Sequence, residues 1–112
     1  MNVYDTANQL AKEIKESEEY VNYKMAKQVL AMKPELKKQI DEFEQEKYML
    51  HIEAMQTGKN NEEKMQKIQK MYEELIESAE AKQFFEAEAK FNLLLADVNK
   101  IIGESIKDVL EK

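Results

Sequence analysis

Apolar residues recur along this chain at the spacing of helices rather than strands. In the segment Asn2 to Glu16, Val3, Ala7, Leu10 and Ile14 share one face of an amphipathic helix. Ser17 then precedes Glu18 and Glu19, and a serine cap followed by acids suits a new helix start. The next stripe is Val21, Met25, Gln28 and Met32, with Val29 beside it. Its phase continues that of the first stripe, so one long helix through Ser17 remains the alternative to a capped break. Pro34 is the firmest boundary, because proline fits the first turn of a helix and pushes Lys33 out of helical geometry. A third helix follows with Leu36, Ile40, Phe43, Leu50 and Ala54, and Lys47 fills the missing heptad position. It is expected to run to about Gln56, roughly 35 Å at 1.5 Å per residue. Gly58 suits a left-handed cap after it, and Asn60 or Asn61 an N-cap before the next helix.

The fourth stripe is Met65, Ile68, Tyr72, Leu75 and Ile76. The fifth is Phe84, Phe91, Leu95, Val98, Ile102, Ile106 and Val109. No glycine or proline separates them, yet they differ in phase by more than about a third of a turn at 100° per residue. A break near Ser78 is therefore predicted, with the serine as cap. The fifth helix is also apolar over about 200° of its circumference, more than one packed face requires. Ala87, Leu94 and Ile101 lie on one flank, and Ala81, Phe85 and Leu110 on the other. The prediction is an all-α chain: about five amphipathic helices in an elongated bundle, the C-terminal helix central, forming one domain over residues 1–112. Long, narrow helices leave much apolar surface open, and burial by another copy is the remedy, as a dimer or tetramer.

Composition sharpens this picture. With two glycines and one proline in 112 residues, the chain lacks the breakers of a β-sandwich or barrel. Without cysteine it has no disulfide framework, thiol nucleophile, cysteine zinc site or cysteine-ligated cluster. No apolar run exceeds four residues, as at Leu93 to Ala96, which is far short of a membrane span. Residues 1–20 carry Asp5, Glu13 and Glu16 in place of an apolar signal core, so a cytoplasmic location is expected. All 17 basic residues are lysines, and the net charge is -6. Direct nucleic-acid binding, which needs a positive stripe, is not expected.

Several segments carry a resemblance. Ser17-Glu18-Glu19-Tyr20 followed by Tyr23-Lys24-x-Ala26, then Glu42-Phe43, then Gln56-Thr57-Gly58-Lys59, resemble the ordered signatures of the YlbF/YmcA family of small bacterial helical proteins. The tail Phe84-Phe85-Glu86-Ala87-Glu88-x-x-Phe91-Asn92-x-Leu94-x-x-Asp97-Val98-Asn99-x-Ile101-Ile102 is the most similar part. The resemblance implies an α-helical fold, homo- or hetero-oligomers and a non-enzymatic regulatory role. Family members are linked to competence, biofilm formation and sporulation, and some to RNA processing. Some carry cysteines that ligate iron–sulfur clusters, and the absence of cysteine here means that property does not carry over. The chain looks closest to the cysteine-free, YheA-like branch.

The residues themselves offer little catalytic chemistry. His51 is the single histidine, and the residue three before it is Tyr48, so the Glu-x-x-His pair of di-iron bundles is missing. Its angle puts it at the edge of an apolar stripe, where half-burial is expected. The acidic groups Asp41-Glu42-x-Glu44-x-Glu46, Glu73-Glu74 and Glu86-x-Glu88 read as solvated, ion-paired faces. Nothing near them marks a pocket that would tune an acid or base. Met25, Met32, Met65 and Met71 read as core fillers, with an adaptable binding groove as the alternative. Glu88, Asn92 and Asn99 fall inside the apolar arc of the fifth helix. They read either as a polar margin or as buried contacts that fix register and partner choice. No catalytic residue, metal ligand, cofactor or small-molecule substrate is expected.

The functional expectation is a regulatory or adaptor protein acting through protein–protein contacts, with Phe91, Leu94, Leu95, Val98 and Ile102 in an oligomer interface. The alternative is a small helical bundle that binds a metal or ligand with a catalytic role. A third reading, RNA binding, rests on the family link alone.

Overall fold

The computed structural model describes residues 2–111, and among these it contains six helices and no strand. They are α1 (Val3–Glu16), α2 (Glu18–Ala31), α3 (Pro34–Thr57), α4 (Glu62–Leu75), α5 (Ala79–Ser105) and α6 (Lys107–Leu110).

Each boundary has a local chemical cause. Asn2 caps α1 by accepting the Tyr4 N–H on its side-chain oxygen at 2.8 Å. Ser17 separates α1 from α2 with extended backbone angles of -67° and 152°. Its hydroxyl donates to the Ile14 carbonyl and accepts the Tyr20 N–H at 3.1 Å, so one side chain ends one helix and starts the next. The capped break, rather than the single long helix, is what forms. Lys33, with angles of -128° and 75°, precedes Pro34 at the start of α3. Gly58 closes α3 in the left-handed region at φ 70°, its N–H reaching the Ala54 carbonyl at 2.8 Å. Asn61 caps α4 by accepting the Lys64 N–H at 3.1 Å. Ser78 caps α5 by accepting the Ala81 N–H at 3.4 Å.

One boundary departs from the periodicity. The stripe continues through Ile102, Ile106 and Val109, yet α5 stops at Ser105 and Ile106 turns at -115° and 12°. The Ser105 hydroxyl donates to the Ile102 carbonyl at 2.7 Å, and the Ile106 N–H reaches back only to Gly103 at 3.3 Å. A serine bonding its own backbone beside a glycine loosens the helix there.

Two compact units result. One comprises Lys27–Phe84; the other joins the residues up to Ala26 with those from Phe85 onward. The unit boundary falls inside α2 and inside α5, so α5 supplies side chains to both units. Among the described residues, the six buried apolar ones, Leu30, Ile40, Phe43, Leu75, Ala81 and Phe84, belong to the Lys27–Phe84 unit. There α3 and α4 pair as a hairpin closed by Gly58 to Asn61. The Phe43 and Tyr72 rings meet across it at 5.9 Å. Lys47, at the apolar register of α3, lies over the Phe43 ring at 5.4 Å from its centroid. Lys64 bridges to Glu53 at 2.8 Å, and the Lys64 ammonium holds the Glu53 carboxyl below its ordinary range.

Pro34 is exposed at a first-turn position that needs no N–H donor. Pro34→Ala is therefore expected to shift the melting temperature by only a few degrees, read by circular dichroism. A gain of about 3 kcal/mol would instead place the proline inside a continuous helix.

Candidate interaction surface

The described residues hold no group of three or more His, Cys, Asp or Glu arranged for a metal ion. His51 is exposed rather than half-buried, because the α3 face that packs on α4 passes through Ile40 and Phe43 and leaves His51 outside it. The acidic groups pair with lysines at the surface: Asp41 with Lys37 at 3.2 Å and Glu46 with Lys67 at 3.8 Å. Among the described residues, no helix is long and apolar enough to cross a membrane.

One carboxylate stands out. Glu80, in the first turn of α5, accepts a hydrogen bond from Lys33 at 2.7 Å and one from the Ser78 hydroxyl at 3.0 Å. The Lys33 ammonium is the largest cause, and with its own backbone N–H and Ser78 it lowers the Glu80 carboxyl to about 2 from 4.5. This contact ties the α2–α3 turn to the start of α5 within one unit. The folded state holds the carboxylate more strongly than the unfolded chain does, so its contribution is present above about pH 4.5 and lost as pH falls toward 2. Glu80→Gln is expected to melt lower than wild type at neutral pH. The gap should close on acidification through that window, followed by thermal melts at several pH values.

In the other unit the residues of the early and late signatures come together. The Phe91 ring meets Tyr20 edge-on at 5.9 Å and Tyr23 in a tilted stack at 5.5 Å. The Tyr23 hydroxyl donates to the Glu88 carboxylate at 3.1 Å. Glu88 is half-buried and engaged with α2, whereas Asn92 and Asn99 are exposed. Tyr23 was not singled out in the sequence as a partner of Glu88; 65 residues separate the two, and no local pattern links them. Phe91, Leu94, Leu95 and Val98 are half-buried, and Ile102 is exposed.

The dominant feature is uncovered apolar surface. Sixteen large apolar residues are exposed, against six apolar residues that are buried. Contrary to the expectation of core fillers, Met25, Met32 and Met65 are exposed and Met71 is half-buried, because the buried positions are taken by Leu30, Ile40, Phe43, Leu75, Ala81 and Phe84. The accessible surface is 9338 Å². A compact monomer of 13.2 kDa exposes about 6,400 Å², and two separate globules of half that mass about 7,700 Å². Even on the second basis, on the order of 1,600 Å² stays open that a self-sufficient chain would cover.

Residues 3–107 match the family described as "Control of competence regulator ComK, YlbF/YmcA". Bacterial relatives align over nearly the whole chain. A UPF0342 protein of Desulfitobacterium hafniense is 34% identical over 110 residues, covering 98% of this chain and 89% of the relative. One from Symbiobacterium thermophilum is 32% identical over 93% of each chain. A third, from Clostridium novyi, is 32% identical over 96% of this chain and 95% of its own length. No solved structure matches.

Proposed function

This chain belongs to the YlbF/YmcA family, and on that basis we propose that it is a non-enzymatic regulatory or adaptor protein that works by protein–protein contact. The family is regulatory, and its description names control of a competence regulator. The observation that carries the reading is the surplus of open apolar surface, which isolated soluble chains rarely leave uncovered. The chain acts as one functional unit in the cytoplasm, needs no cofactor, and binds neither nucleic acid nor membrane. It self-associates as a dimer or tetramer through Phe91, Leu94, Leu95, Val98 and Ile102. Glu88, Asn92 and Asn99 act as polar contacts that select the register of the partner helix.

The test is purification of a tagged copy, expressed at native level in its own host beside the untagged chain, with partners identified by mass spectrometry. The expected result is co-purification of the untagged chain and a small set of stoichiometric proteins. Recovery of the tagged chain alone, as a monomer, overturns the proposal.

A further inference from the structure

The Lys27–Phe84 unit carries its sulfur on the outside. Six of its large apolar residues are exposed: Val29, Met32, Tyr48, Met49, Met55 and Met65. Four of these six are methionines, whereas none of the six buried apolar residues of the same unit is. Methionine ranks among the residues most often buried, so this distribution reverses the usual one. Leucine at these helical positions would offer a similar apolar area. What the thioether adds is chemistry, an accessible sulfur lone pair that takes up one oxygen atom. The chain has no cysteine to compete for an oxidant. We propose that Met32, Met49, Met55 and Met65 form a reversible oxidation site, whose conversion to sulfoxides turns most of the open apolar surface of this unit polar while its fold stays intact.

The co-reactant is a peroxide. The sulfur attacks one peroxide oxygen, the O–O bond breaks, and the leaving hydroxide takes the proton of the transferred oxygen to become water. Sulfur is oxidised by two electrons and the peroxide is reduced by two. In the return step two thiols of a methionine sulfoxide reductase release the oxygen as water and close to a disulfide. Burial decides what each oxygen does to the fold. At Met32, 83% exposed, and Met55, 72% exposed, the S=O dipole stays in water. Met49 at 57% and Met65 at 46% follow. Met71 is half-buried one turn before the buried Leu75, where an added oxygen would lose hydration. The fold thus shields the methionine whose oxidation would damage this unit. The chemistry stands without any partner; its consequence for protein contacts rests on the function proposed above.

Hydrogen peroxide applied to the full native chain tests this, with each methionine followed by peptide mass spectrometry. Met32 and Met55 should take up oxygen first, and Met71 at least about 3-fold more slowly than Met32. In denaturant that difference should vanish. Once the four exposed methionines are saturated, helical content by circular dichroism should be unchanged. The chain should then elute earlier from a hydrophobic-interaction column. Treatment with the two epimer-specific methionine sulfoxide reductases and a thiol reductant should restore the original retention. Met71 keeping pace with Met32 in the native chain overturns the proposal, as does a retention that oxidation leaves unchanged or reduction fails to restore. If helicity falls instead, Met71→Leu provides the decision, because leucine nearly conserves the volume and removes the shielded sulfur. That variant should keep its helices at the same peroxide dose, and its unfolding overturns the proposal. None of these readouts involves a partner, so this site and the contact function can each fail without the other.

Discussion

Phe43→Ala is expected to cost about 3–5 kcal/mol, a large share of the stability of a domain this small. Phe43 is 3% exposed, meets Tyr72 across the α3–α4 hairpin and has the Lys47 ammonium over its ring. Truncation leaves a ring-sized void in the buried core of the Lys27–Phe84 unit. Urea denaturation followed by circular dichroism measures the loss as a fall in midpoint at nearly constant slope. A cost below about 1 kcal/mol would mean that the hairpin is not the stabilising centre of its unit.

Leu95→Asp should have the second large effect. Leu95 is half-buried on the α5 stripe between Phe91 and Val98. A carboxylate there is desolvated with no cation provided, which costs several kcal/mol and should dissociate the assembly or unfold the chain. Lys100→Asp changes charge at an exposed site on the other side of α5 and should do neither. Light scattering of the three proteins at one concentration reads the result. A stable monomeric wild type would remove the premise whatever the variants do.

Most of the fold is legible because its boundaries are chemical and local. Ser17, Pro34, Gly58, Asn61 and Ser78 each act on backbone groups within four residues, so composition and spacing find them without tertiary knowledge. The break at Ile106 is not legible, since it depends on the Ser105 hydroxyl choosing the Ile102 carbonyl over water. The width of the α5 arc announces that more than one surface must cover it. It does not reveal that its own chain covers Phe91 and leaves Val109 open. His51 and the methionines illustrate the same limit, because helical angle gives a face but not its depth. Glu88 was legible as a polar residue out of place; its partner, in another helix far along the chain, was not.

The separation of Tyr23 from Glu88 and Phe91 also sets a timetable for synthesis. The α3–α4 hairpin closes through a short loop and can form as soon as α4 emerges from the ribosome. The unit that holds α1 closes later still, because Glu88 follows Tyr23 by 65 positions, some 3–13 s of synthesis at about 5–20 residues per second. Throughout that interval Val3, Leu10 and Ile14 have no intramolecular cover. The order of emergence gives the N-terminal helix an opportunity to associate between chains that a refolding experiment, starting from complete chains, does not reproduce.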